Sequence, residues 1–100
     1  MRAFKNKWFT RWARREDVSD LVLRRTAEEV VAGGVEADLG GYLFKKRLAR
    51  DARGKRAGYR IIIGYKRPNS ERIIFRYAFA KNAKASISDK EREALSLRAS

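Results

Sequence analysis

The segment DARGKRAGYRIII, residues 51–63, strings Arg53, Lys55, Arg56 and Arg60 along a glycine-spaced stretch that runs directly into Ile61, Ile62 and Ile63. Just upstream, YLFKKRLA carries Lys45, Lys46 and Arg47. Between Lys45 and Arg60 the chain places eight cations against a single acid, Asp51. A guanidinium grips a phosphate with two donors, whereas an ammonium acts as a mobile point charge. Such a set suits a polyanion, and the chemistry it can perform there is RNA transesterification. In that reaction the ribose 2′-oxygen loses a proton, the leaving 5′-oxygen gains one, and the phosphorane charge needs stabilising. The chain has no His, so the usual general base and metal ligand are missing. A lysine crowded by other cations can do the proton work, and neighbouring arginines hold the developing charge. Lys81 is the proton-transfer candidate, with Arg60 and Lys45 as stabilisers. Arg47, Arg53, Lys55 and Arg56 are candidate RNA contacts. The competing reading is a solvated basic face, a common surface feature. Alternation argues against it, because Lys45 and Arg47 fall on one side of a strand.

The aromatic residues admit two readings. Tyr59, Tyr65, Tyr77 and Phe79 either stack on unpaired bases or fill a core. Tyr65 and Phe75 read as core. Tyr77 and Phe79, close to the basic end, stay open between core and RNA contact. Trp8 and Trp12 read as helix packing. The glycines and lysines of GGYLFKKR and GKRAGYR lack phosphate-loop spacing. Glu28 and Glu29 adjoin on a helix and point apart, so they indicate neither a metal site nor paired-carboxylate catalysis. No cofactor and no metal are implied.

Composition narrows the field. A chain of 100 residues argues for one domain spanning 1–100. The formal net charge is +13, which favours a nucleic acid or an acidic protein as partner. The lack of Cys excludes disulfide and thiolate chemistry and suits a reducing cytoplasm. MRAFKNKWFTRW has no apolar segment of the signal-peptide kind. The longest aliphatic run, Ile61 to Ile63, is too short for a bilayer, so no membrane association is expected.

The elements that must position these residues follow from periodicity. Residues 6–16 have helical spacing, with Trp8, Phe9, Trp12 and Ala13 on one side. Ser19 caps a second helix whose predicted core face is Leu23, Ala27, Val30 and Val31, with Gly33 and Gly34 at its stop. After DLGG the period shortens to two. In 42–49, Phe44 and Leu48 face one way and Lys45 and Arg47 the other. In 59–66, Tyr59, Ile61, Ile63 and Tyr65 oppose Arg60, Ile62, Gly64 and Lys66. RPNSE reads as a turn, and 72–81 returns with Ile73, Phe75, Tyr77 and Phe79 together. Residues 1–5 make a weak edge strand. A final helix has a capping box of Ser88 and Glu91 and an apolar patch of Ala94, Leu95 and Leu97. The expected architecture is α+β: an N-terminal helical hairpin on a small antiparallel β-sheet, with a C-terminal helix.

The quoted residues also resemble a known family. FKNKWFTRWARRE, DLGGYLFKKRLAR, GKRAGYRIII and FAKN, in this order, are similar to the HigB-type branch of the RelE-like toxins of type II toxin–antitoxin systems. The resemblance covers nearly the whole chain. It implies a microbial RNase fold, mRNA cleavage on the translating ribosome, inhibition of translation, and neutralisation by a cognate helix-turn-helix antitoxin. It assigns RNA binding and catalysis to Lys45 and Arg47 of FKKR, Lys55 and Arg60 of GKRAGYR, and Lys81 of FAKN. The chain also departs from the family. Phe79 stands where several relatives have Tyr, Ala83 where relatives often have Glu, and Arg56-Ala57-Gly58 where the stretch is usually richer in glycine. A phenol cannot act from position 79, although a ring can stack there. The alternatives are a non-catalytic basic nucleic-acid-binding domain, an inactive toxin homologue, or a module for an acidic protein.

Overall fold

A computed structural model of the chain describes residues 2–48, 58–66, 72–81 and 86–95. Among these the order is β1 (Arg2–Lys5), α1 (Lys7–Arg15), α2 (Asp20–Val31), β2 (Ala37–Gly40), β3 (Leu43–Arg47), β4 (Tyr59–Tyr65), β5 (Arg72–Ala80) and α3 (Asp89–Leu95). The strands form one five-stranded sheet in the order β1-β5-β4-β3-β2. The α+β architecture is as expected, but the sheet is mixed rather than antiparallel. β1 lies parallel to β5, with Arg2 opposite Arg72 and Lys5 opposite Phe75. A short connection forces antiparallel pairing only between consecutive strands; β1 and β5 are joined through the rest of the chain, which leaves their relative direction free. Periodicity does not predict β2. Its four residues, ADLG, carry a poor strand composition and form because β3 offers them an edge.

Local chemistry sets the helix ends. Asn6 Oδ1 accepts from Phe9 N at 2.7 Å and Ser19 Oγ from Val22 N at 3.2 Å, each satisfying a donor that a helix start leaves open. Ser88 and Glu91 form the expected reciprocal box, at 2.9 and 3.1 Å. At the end of α2 only Gly33 takes the left-handed backbone, at φ +93°. Gly34 is needed for space instead, since a Cβ there would sit 3.1 Å from the Glu29 carbonyl oxygen.

The main core lies between the helical hairpin and one sheet face. Phe9, Trp12 and Ala13 of α1 and Val22, Leu23, Ala27 and Val30 of α2 meet Ile61, Ile63, Tyr65, Ile73, Phe75 and Ala78. The buried stripe of α2 thus includes Val22 and Thr26, while Val31 is 38% exposed. Val31 falls one position past the inward face, so its expected core role is corrected. Thr26 tolerates burial because its hydroxyl donates to the Val22 carbonyl at 2.8 Å. Trp12 is buried as expected, but Trp8 is 37% exposed and leans on Tyr77, with ring centroids 4.6 Å apart.

One irregularity in β5 has consequences for the other face. Ile63 pairs with Phe75, yet its neighbour Ile62 pairs with Tyr77, so Arg76 is an extra residue in the strand. A bulge of this kind reverses the alternation beyond it. Ile73 and Phe75 therefore point into the main core, whereas Tyr77 and Phe79 join the opposite face. The predicted grouping of Ile73, Phe75, Tyr77 and Phe79 is corrected accordingly. Asn6 braces the bulge: its Nδ2 donates to the Arg76 carbonyl at 2.9 Å, and its backbone N donates to the Phe75 carbonyl at 3.2 Å. Asn6→Ala removes the cap and the side-chain part of the brace, leaving the backbone bond to Phe75. It is expected to cost roughly 1–3 kcal/mol, read as a lowered urea midpoint with an unchanged slope.

Candidate active site

The second sheet face carries the candidate chemistry. In register across β3, β4 and β5 stand Arg47, Arg60 and Phe79. The next row is Ala37, Lys45, Ile62 and Tyr77. Neighbouring strands lie about 5 Å apart, so Lys45, Arg47 and Arg60 occupy adjacent positions of one surface. Alternation, confirmed here for β3 and β4, puts them there; the bulge at Arg76 brings Tyr77 and Phe79 to the same side. Lys46 points the other way and pairs with Glu29 of α2 at 2.7 Å. Lys81 follows β5 directly, and its backbone N donates to the Gly58 carbonyl at 2.8 Å. That bond fixes Lys81 at the sheet end bearing Arg47, Arg60 and Phe79. The chain leaves the sheet at this end after Leu48, whose N donates to the Tyr59 carbonyl at 3.2 Å, and re-enters at Gly58. Arg53, Lys55 and Arg56 belong to the intervening segment and lie outside the described residues, as do RPNSE, for which a turn is predicted, Ala83 and Leu97.

Burial divides the cations into two layers. Arg47 and Lys81 are exposed. The side chains of Lys45 and Arg60 are 14% and 3% exposed. The floor beside them is apolar: Leu43, Ile62 and Phe79 are buried together, with Leu39, Tyr77, Ile87 and Leu95 against them. Ile87 and Leu95 bring α3 onto this face. Phe79 is 6% exposed and contacts Tyr77 at a centroid distance of 6.2 Å, while Tyr77 is half-buried. Phe79 is therefore mainly floor, and Tyr77 with Trp8 presents the more accessible aromatic surface. The main-core side steadies the entry to β4: the Tyr59 hydroxyl donates to Glu16 Oε1 at 2.5 Å, and its ring meets Trp12 edge-on.

Glu36 is the residue that sequence reasoning missed. It precedes β2, and its backbone N donates to the Lys45 carbonyl at 2.7 Å. Its carboxylate bridges the inner cations, with Oε2 at 2.6 Å from Arg60 Nε and Oε1 at 3.4 Å from Lys45 Nζ. The available signal was a pair of acids, Glu36 and Asp38, ahead of a basic alternating strand, in VEADLGGYLFKKR. Burial alone would raise the Glu36 pKa; the positive charges of Arg60 and Lys45, and their hydrogen bonds, outweigh this and hold the carboxyl below its ordinary range. A depressed folded-state pKa stabilises the protein above the ordinary glutamate range, and that stability is lost as pH falls through the depressed value. The carboxylate is 37% exposed, so solvent screens the pairs and limits the effect to about 1 kcal/mol. Urea midpoints of the wild type and Glu36→Gln should therefore differ at neutral pH and converge in acid.

The face can hold a phosphate backbone against exposed cations, with fixed positive charge beneath and aromatic surface alongside. Buried charge acts through a lower dielectric than surface charge, so the inner pair contributes to the field although it is covered. Among the described residues no group of His, Cys, Asp and Glu is arranged to hold a metal ion, and no helix is long and apolar enough to cross a membrane.

A small α+β domain with one cationic, aromatic sheet face is the class that fold and site define together. Over residues 1–100 the chain matches the family described as the RelE toxin of the RelE / RelB toxin-antitoxin system. The chain belongs to that family, whose toxins are ribonucleases and act with a cognate antitoxin. Comparison with curated proteins finds no match.

Proposed function

We propose that this protein is a HigB-type toxin, an mRNA endonuclease that cuts on the translating ribosome in the cytoplasm and stops translation until a helix-turn-helix antitoxin neutralises it. The observation that carries this reading is the register of Arg47, Arg60 and Phe79, with Lys45 beside them and Lys81 at the same sheet end. Arg47 and Lys81 meet the RNA, joined by Arg53, Lys55 and Arg56 of the adjoining segment. The 2′-oxygen attacks the neighbouring phosphorus and the bond to the 5′-oxygen breaks. Lys81 relays the proton between the reacting oxygens: its ammonium protonates the departing 5′-oxygen, and the amine so formed takes the proton of the 2′-hydroxyl. The inner charges of Lys45 and Arg60 stabilise the phosphorane. The products are a cyclic 2′,3′-phosphate and a free 5′-hydroxyl, with no metal ion taking part. Tyr77 and Phe79 line the site, and their rings offer stacking surface to an unpaired base.

A second reading is favoured by one observation. Phe79 is packed into the floor with Leu43 and Ile62 and carries no hydroxyl, which suits a basic RNA-binding homologue without catalysis. The two are separated by inducing the chain with and without the neighbouring reading frame and mapping transcript 5′ ends. The nuclease predicts growth arrest and new 5′-hydroxyl ends, both suppressed by the adjacent gene. Binding that weakens steeply with salt, without new ends, establishes the second reading.

A further inference from the structure

The inner cations pose an electrostatic problem. Lys45, Arg47 and Arg60 occupy adjacent register positions on one face, and like charges at that spacing repel. Two of them are largely removed from water, which strengthens the repulsion. Among the described residues one carboxylate reaches both. Glu36 reaches Arg60 through Oε2 at 2.6 Å and Lys45 through Oε1 at 3.4 Å, and its backbone is tied to β3 by the bond from its N to the Lys45 carbonyl at 2.7 Å. The contact with Arg60 uses Nε, and Nη1 of the same guanidinium donates to the Tyr59 carbonyl at 3.4 Å. We infer that Glu36 is a positioning residue of the nuclease: it fixes the Lys45 ammonium and the Arg60 guanidinium in one geometry, so that their positive charge is already in place when the phosphorane forms. This rests on the reading of the protein as a nuclease. It also decides between two roles the same contacts allow. A carboxylate that merely filled the phosphate position would be a brake, and its loss would speed cleavage. A carboxylate that orients two repelling cations is needed for turnover, because catalytic charge stabilisation depends on donors held in place beforehand.

The test measures cleavage of an mRNA on programmed ribosomes by the wild type, Glu36→Gln and Glu36→Asp, with thermal melts of each. Glu36→Gln keeps the shape, removes the charge and sets an amide against a cation. Glu36→Asp keeps the charge but is one methylene too short to span both partners. The expected result is a kcat lowered at least tenfold in each folded variant, with KM unchanged or, for the glutamine variant, lowered because the face becomes more positive. A merely structural role would instead make kcat follow the melting temperature. Cleavage at the wild-type rate or faster by either folded variant overturns the inference, as does a raised KM at constant kcat. If neither variant folds, Glu36 is a structural residue and the inference is also overturned. A wild type that leaves the mRNA intact overturns the nuclease reading itself, and the positioning role with it.

Discussion

Lys81→Ala should reduce RNA cleavage by about 100- to 10,000-fold, the range expected when a general acid or base is lost. Its folding stability should stay within about 0.5 kcal/mol of wild type, as for an ordinary surface substitution. Lys81 lies at the end of β5 with its side chain exposed. What holds it in place is its backbone, through the bond to the Gly58 carbonyl at 2.8 Å, and alanine keeps that bond. Arg60→Ala is a less clean probe. Arg60 is buried and paired with Glu36, so its loss mixes folding with chemistry. The decisive measurements for Lys81→Ala are single-turnover cleavage, a urea titration and growth under induction. An induced culture that still arrests, with transcripts still cut at the wild-type rate, would remove Lys81 from the mechanism.

Phe9→Ala should give the largest loss of stability, about 3–5 kcal/mol. Phe9 is fully buried. Its ring lies 5.2 Å from that of Trp12 and 5.1 Å from that of Phe75, so it joins α1 to the centre of β5. Truncation leaves a cavity at the junction of helix and sheet, where neither partner can collapse freely. A domain of this size has only about 5–15 kcal/mol of total stability, and each kcal/mol lowers Tm by roughly 4–8 °C. The melting temperature should fall by tens of degrees, and soluble protein should fall with it. Both variants relieve growth arrest, for opposite reasons: Lys81→Ala accumulates as folded, inactive protein, whereas Phe9→Ala is lost. A Phe9→Ala protein that melts within a few degrees of wild type would show that α1 does not anchor the sheet.

Much of this was legible from local patterns. The caps at Ser19 and Ser88 are short-range hydrogen bonds between residues three apart, and such signals survive any tertiary context. The faces of β3 and β4 follow from a period of two, which also places Lys45, Arg47 and Arg60 on one side. The helical stripe of Phe9, Trp12 and Ala13 follows from a period near 3.6. Pattern failed where a partner from far along the chain intervened. β2 is stable only as an added edge on β3, so its own composition does not predict a strand. Hydrophobicity puts Val31 on the core side of α2, but its position around the helix leaves it exposed.

Residue chemistry and nearest neighbours dictate the charge, the absence of His and Cys, every element type but that of β2, and the side of β3 and β4 on which the cations stand. Long-range contacts settle what remains. Asn6, seventy residues away in sequence, braces the bulge at Arg76 and so carries Tyr77 and Phe79 over to the cationic face. Glu36 becomes the link between Lys45 and Arg60 only once β2, β3 and β4 lie side by side. Both outcomes need contacts between segments that no local period connects.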